Sequence, residues 1–391
     1  MKTILFNTHD LALIITLYQC ILFALFLISM RKGKKQSNLL LAAFLLSQAA
    51  IPLDNLINFG EGFKNVAVAI SPKLLYTFGL AFWLEAPLLL LYIKSLIYKD
   101  YQLKKSNLLY FLPFALYFIY FLNSWLLADI SAEAQALQDN AIAKADTVER
   151  LIHVFRELFR LSCGVLCFYE LQKYQKQIKN EVADIESVDL SWLKILVIGF
   201  LGIKVAAVTV ALALVSSYEW HYYIDHELLG LTANYITLFL VSALIFFSAG
   251  HSTLFKGINR DLVVEDKNKE PVDPQLIAQI TGYMQEQKPY LNHLLTLDNL
   301  AKQLNLSARN LSQIINRHFD KNFFEFINHY RIEESKALLQ NPAHKKTTML
   351  DIMDQAGFNS KATFNTFFKK LTGVTPSQFR NDYLANQAAS K

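Results

Sequence analysis

Arg309, Gln313, Asn316 and Arg317 fall at helical spacing, on the outer side of a segment whose inner side is marked by Leu311, Ile314 and Ile315. A guanidinium offers two parallel donors that match O6 and N7 of guanine. A side-chain amide offers the donor and acceptor that match N7 and N6 of adenine, so a row of these types is suited to reading base edges. Ser307 and Asn310 stand at the start of the same segment. About fifty residues on the pattern recurs, with Lys361, Asn365, Thr366 and Lys369 outside, Phe364, Phe367, Phe368 and Leu371 inside, and Ser360 and Thr363 as further candidate contacts. A third set has different chemistry. His153, Arg156, Glu157 and Arg160 are spaced three, four and seven apart and share one helix face within an apolar stretch. Asp54, Glu85 and Lys204, in other apolar stretches, are their candidate partners. Charge in hydrocarbon is costly and faces a partner or a cavity. An interhelical ion-pair set that fixes packing is the first reading. The second is a pocket open to the outer side, where Arg156 and Arg160 suit an anionic signal molecule.

No pattern of catalysis competes with these sets. The sequence has no phosphate-binding glycine loop, no His-Glu-x-x-His and no nucleophile elbow, and Ser47 lies in a helical stretch without a base. Cys163 and Cys167, one turn apart, match no zinc or redox spacing, and with Cys20 they read as apolar packing. Neither metal nor cofactor is expected.

The outer rows need scaffolds. Leu300, Ala301, Leu304 and Leu306 recur at helix-then-turn spacing before Leu311, Ile314 and Ile315 resume, which predicts a helix-turn-helix. Ala301 is small where two helices must cross. Asn305 tolerates positive φ at the bend, and Ser307 caps the second helix. A second unit is predicted from a helix over 348–357, a turn at Phe358, Asn359 and Ser360, and a helix over 361–371. Between them residues 323–340 read as one helix, ~25 Å long at ~1.5 Å per residue, with Phe323, Phe326, Ile327, Tyr330 and Leu338 inward. Such a strut suits two recognition helices set about one DNA turn apart, ~34 Å. Thr375-Pro376-Ser377-Gln378 is a capping box that opens a last helix running to about residue 386. An opening helix over 274–287 turns Leu276, Ile277, Ile280 and Met284 inward.

At these residues the last third of the chain closely resembles the DNA-binding domain of AraC/XylS-family transcription regulators. The likeness rests on Leu300-Ala301, on Arg331 followed by Ala337-Leu338-Leu339, on Gly357-Phe358-Asn359-Ser360 with Phe364, on Phe368-Lys369-Lys370, and on Gly373-Val374-Thr375-Pro376-Ser377-Gln378-Phe379-Arg380. It departs from the family pattern at Met353, where a small residue is usual, and at Asn322, where Gly is usual. The resemblance implies direct binding to double-stranded promoter DNA, often as a homodimer, with RNA polymerase as a further partner and activation as the favoured outcome.

The remaining chain is of another kind. Of 391 residues, 53% are hydrophobic and only 18% charged, too apolar for an ordinary soluble protein. The excess is concentrated in residues 1–255. Seven spans are predicted, over 11–30, 38–59, 74–97, 108–128, 151–169, 192–215 and 228–249, each near the ~20 residues that cross a bilayer as a helix. The fifth is the weakest, interrupted by His153, Arg156, Glu157 and Arg160. Lysines and arginines cluster after the odd spans: Arg31, Lys32, Lys34 and Lys35, then Lys99, Lys104 and Lys105, then Lys173, Lys176 and Lys179, then Lys256 and Arg260. By the positive-inside rule the amino terminus is outside the cytoplasmic membrane and the carboxy terminus inside, in the compartment that holds DNA. The first span is expected to stay as a membrane helix, because its positive cluster follows it and no small-residue cleavage site is evident. Residues 129–150 read as a solvated outer connector. Tyr218, Trp220, Tyr222 and Tyr223 read as interfacial anchors. Residues 256–273 form a polar linker with a reach of ~20–25 Å if flexible.

From Lys288 onward, 14 Lys and Arg face 8 Asp and Glu, a surplus of six against +5 for the whole chain. That local surplus suits phosphate contacts beneath base contacts. The expectation is an all-α protein with a seven-helix transmembrane sensor domain over 1–255, a linker over 256–273 and an all-helical domain over 274–391 with two helix-turn-helix units. Its function would be promoter binding under control of an unknown small-molecule signal. The competing reading is a membrane receptor or transporter whose tail binds a protein.

Overall fold

The computed structural model describes residues 8–30, 34–71, 73–99, 101–127, 147–185, 190–220, 226–251 and 273–389. Among them every named element is helical, and Val182 and Thr296 form an isolated antiparallel bridge. The chain divides into two units, residues 1–172 with 190–257 and residues 173–189 with 258–391. Residues 173–189 thus join the carboxy-terminal unit, a discontinuity that a linear division at 255 and 274 does not contain. Most of residues 256–273, residues 129–146, Arg31, Lys32, Tyr222 and Tyr223, and the side chains of Tyr218 and Trp220, lie outside what is described.

The first unit contains α1 (Thr8–Ser29), α2 (Lys35–Phe59), α3 (Glu61–Ile70), α4 (Leu74–Thr77), α5 (Glu85–Ile97), α6 (Leu112–Leu127), most of α7 (Thr147–Gln177), α8 (Ser191–Trp220) and α9 (His226–His251). α1 lies against α2 and α9, α2 against α5, and α8 against α9. Along α1 the buried side, which includes Asp10 and Thr16, is no more apolar than the exposed one. Cys20 and Ala24 are fully buried while Leu22 and Leu25 are more than half exposed, and all four are apolar. Removing such an outer face from water would gain ~25 cal/mol for each Å² of it.

Among the described residues five stretches are long and apolar enough to cross a membrane: Thr8–Ser29, Lys35–Phe59, Leu74–Ile97, Lys105–Asn123 and Ser191–Ala213. The other two expected spans meet this standard less well. The apolar part of α9, Thr232–Ser248, is shorter, and the run in α7 is broken by Arg150, Arg156, Glu157, Arg160 and Glu170. The third span is not one α-helix either, because Phe78–Trp83 between α4 and α5 winds as a 3-10 helix.

The second unit contains α10 (Pro274–Glu286), α11 (Leu297–Gln303), α12 (Ala308–His318), α13 (Phe323–Gln340), α14 (Met349–Gln355), α15 (Lys361–Thr372) and α16 (Pro376–Ala389). It has two cores. Phe323, Phe326 and Ile327 of α13 join Ile280, Met284, Leu300, Leu311 and Ile315 in the first. Ile332 and Leu339 of the same helix join Ile352, Met353, Phe364 and Phe368 in the second. α13 is therefore a strut with one core at each end, as its apolar periodicity requires. Its start is fixed by Asn322, whose side chain accepts from the Glu325 N–H. The position expected to need glycine is thus a cap with φ −76°, and the positive φ falls on Asp320. Thr375 and Gln378 close the expected capping box, each side chain accepting from the other's backbone N–H. α16 then runs on to Ala389.

Candidate nucleic-acid interface

The two helix-turn-helix units are built alike. In the first, Leu306 N–H donates to Ala301 O at 2.8 Å; in the second, Phe358 N–H donates to Met353 O at 3.0 Å. Each bond spans five residues and turns the chain around a left-handed residue, Asn305 at φ 56° and Gly357 at φ 85°. Met353 therefore occupies the place of Ala301, and its longer side chain is buried in the second core. Gly357 has a second constraint. A Cβ there would stand 2.6 Å from Tyr290 O, so the turn packs backbone to backbone on the segment that leads into the first unit.

Beyond the bend the units differ by one residue. Ser307 follows Leu306 directly and caps α12, its Oγ accepting from Asn310 N–H at 3.2 Å. Ser360 caps α15 in the same way, accepting from Thr363 N–H at 3.2 Å, but Asn359 intervenes between it and Phe358. Both hydroxyls are thus spent on positioning, and Ser360 is buried. The rows they position face outward. Arg309, Asn310, Asn316 and Arg317 are exposed and Gln313 is half-buried on α12; Lys361, Asn365, Thr366 and Lys369 are exposed and Thr363 is half-buried on α15. Asn316 Nδ2 donates to Ser312 Oγ at 3.4 Å, which orients its amide along the row.

The inner side of α13 holds a residue that periodicity did not assign. Arg331 is 1% exposed in the strut. Its Nε donates to Tyr290 O at 2.7 Å, its Nη2 to Asn292 O at 3.0 Å, and its Nη1 to Ala183 O at 3.1 Å and Asn328 Oδ1 at 3.4 Å. Burial pushes its pKa down to about 10, against the pull of the Asp184 carboxylate, so the guanidinium stays charged at neutral pH. The available signal was a cation at a core position of an amphipathic helix, four residues after Ile327 and next to Ile332. Such a group must find acceptors inside.

In the first unit the third set of residues comes together. Glu85 Oε1 accepts from Arg160 Nη2 at 2.7 Å and Nε at 3.1 Å, and from Lys204 Nζ. Glu157 accepts from Arg160 Nη1 at 2.6 Å and Arg156 Nε at 3.0 Å. Arg156 Nη2 reaches His153 Nδ1 at 2.8 Å, and both guanidinium groups lie over the Phe82 ring. Glu85, Glu157, Arg160 and Lys204 are buried, so α5, α7 and α8 are pinned by charge inside an apolar bundle. Among the described residues Asp54 forms no ion pair with this set and lies against Gly79 instead. The carboxylates are paired internally, the arrangement expected of the packing reading. Glu85 Oε2 and Trp83 Nε1 are buried without a partner among the described residues.

Residues 300–382 match the family model of a helix-turn-helix domain, of the AraC type. The Msm operon regulatory protein of Streptococcus mutans serotype c (strain ATCC 700610 / UA159) is 33% identical over 92 residues, 24% of this chain and 32% of that protein. An uncharacterized HTH-type transcriptional regulator of Staphylococcus aureus (strain COL) is 24% identical over 266 residues, 65% of this chain and 31% of its own. The uncharacterized HTH-type transcriptional regulator YtdP of Bacillus subtilis (strain 168) is 31% identical over 86 residues, 22% of this chain and 11% of that protein. The chain spans about a third of the length of the first two relatives, and all three are named as regulators. No solved structure matches.

Proposed function

We propose that this chain is a membrane-integrated one-component regulator, in which a signal received by the helical bundle alters how two helix-turn-helix units occupy promoter DNA. The observation that carries the reading is the pair of like-built units on one strut, with Arg309, Gln313, Asn316 and Arg317 on one outer row and Lys361, Asn365, Thr366 and Lys369 on the other. α12 reads the first half-site, α15 the second, and the surplus of basic residues supplies the phosphate contacts. The apolar outer faces of the first unit suit a bilayer. Seven crossings, with α7 and α9 among them, put the carboxy terminus on the cytoplasmic side and agree with the alternating loop charge. The signal acts on the ion set of Glu85, His153, Arg156, Glu157, Arg160 and Lys204, with Asp54 beside it. Exchange of one buried pair for a ligand contact shifts α7 against α5 and α8.

A gel-shift with the full chain in lipid nanodiscs and DNA from its own upstream region tests the reading. Specific binding that weakens with salt is expected. Arg317→Ala is expected to cost ~1–3 kcal/mol and relax discrimination at one base, and Lys361→Ala to lower the salt slope by about one. Absent binding, or binding indifferent to salt, contradicts it.

A further inference from the structure

The second unit includes a stretch that the helix-turn-helix pattern does not call for. Residues 173–185 take in the end of α7, the helix that carries Arg156, Glu157 and Arg160, and the segment after it, and they group with the carboxy-terminal residues. Ala183 N–H donates to Leu295 O at 3.1 Å and Leu297 N–H donates to Glu181 O at 2.8 Å, framing the bridge between Val182 and Thr296. Ala183 is 1% exposed and belongs to the first core. Its carbonyl takes Nη1 of Arg331, and the Asp184 carboxylate takes Nδ2 of Asn359 at 3.3 Å. Asn359 is the residue by which the second turn exceeds the first. The four residues 181–184 thus touch the N-cap of α11, the middle of the strut and the turn before α15.

We propose that residues 181–184 are a latch that docks the end of α7 onto the DNA-binding domain and sets the two recognition helices relative to each other. The inference rests on the reading that those helices bind DNA and assigns its control. The ion set and the latch are joined through one helix, α7 (Thr147–Gln177), which is the route by which a shift at the ion set reaches the latch. The surface around Leu295, Thr296 and Arg331 is therefore an intramolecular docking site. Its ligand is an extended segment of this chain, recognised by strand-like pairing and by one guanidinium on a carbonyl. A signal that moves α7 acts on both units at once, through Thr296 in one and Asn359 in the other.

Val182 and Thr296 form the non-hydrogen-bonded type of antiparallel pair, with Cα atoms ~4.5 Å apart, within reach of a disulfide. The native cysteines are buried and give little background. The full chain carrying Val182→Cys and Thr296→Cys, oxidised mildly in native membranes, is expected to form an intramolecular disulfide in most molecules. Yield no higher than in the single-cysteine chains overturns the latch. Coupling is read in nanodiscs from DNA affinity. Arg160→Gln is expected to change affinity by about 5-fold or more in the native background and by less than about 2-fold with Ala183→Pro, which removes the N–H donor to Leu295. An equal change in both backgrounds, or none in either, overturns the proposal. Loss of DNA binding in every chain, the native one included, counts instead against the functional reading, and the cysteine pair then still decides whether residues 181–184 dock.

Discussion

Among the described residues two arginines are buried, and they are held in opposite ways. Arg160, in the apolar bundle, is satisfied by the carboxylates of Glu85 and Glu157. Arg331, in the DNA-binding unit, is satisfied by the backbone carbonyls of Tyr290, Asn292 and Ala183 and by one amide oxygen. Carboxylate partners are mobile side chains that are shared: Lys204 also reaches Glu85, and Arg156 also reaches Glu157. Carbonyl partners are fixed by the backbone and belong to two segments far apart in sequence, around Ala183 and around Tyr290 and Asn292, which the guanidinium joins to α13. The first arrangement can exchange partners and so can respond; the second can only be made or broken.

The largest expected effect breaks the second arrangement. Arg331→Met leaves three buried carbonyls short of a donor and is expected to destabilise the DNA-binding unit by ~3–5 kcal/mol, read as a lowered melting temperature of the purified protein. Arg331→Lys, a point donor without the fork, should recover less than half of that loss. Gly357→Ala comes next, because both the left-handed φ and the approach to Tyr290 O oppose a side chain. A loss of ~2–3 kcal/mol and weakened DNA binding are expected, measured by melting and gel-shift together. Arg160→Gln should cost less than Arg331→Met, since Lys204 stays on Glu85 and Arg156 on Glu157. The protein is expected to insert and fold, while reporter output loses its response to the native signal. Loss of the folded protein would make the ion set a packing device alone.

The smallest effect concerns His329 on α13, whose pKa burial lowers, with Lys321 adding to the shift. The folded state therefore takes up this proton later than the unfolded chain as pH falls. Stability is full above the ordinary histidine value of about 6.5 and declines below it. A slight fall in melting temperature between pH 7 and pH 5.5 is expected, and His329→Gln should flatten it.

The carboxy-terminal unit was legible because its signals are local. Periodicity places α12, α13 and α15, while Asn305 marks the first bend, Ser307 the start of α12 and the Thr375 box the start of α16. The ion set was legible as a face of α7, since spacings of three, four and seven cannot point elsewhere, and Glu85 and Lys204 were named as partners. Three features were not legible. The 3-10 winding of Phe78–Trp83 carries no period of its own. α3, an amphipathic helix of one short stretch, was absorbed into a loop. The role of residues 181–184 depends on partners more than a hundred positions away, at Thr296, Arg331 and Asn359, and no local pattern in a polar segment announces a distant carbonyl contact. Arg331 did carry a signal, a cation in a core register, that periodicity alone passed over.

In the proposed function one chain is at once embedded in the membrane and bound to its promoter by two outer rows of side chains. Crosslinking cells, sedimenting washed membranes and sequencing the DNA that co-purifies with the full-length chain tests it most directly. Enrichment of a discrete promoter in the membrane fraction is expected, lost in the chain carrying both Arg317→Ala and Lys361→Ala. Equal recovery with and without those substitutions, or recovery only with a soluble fragment of the chain, would contradict it.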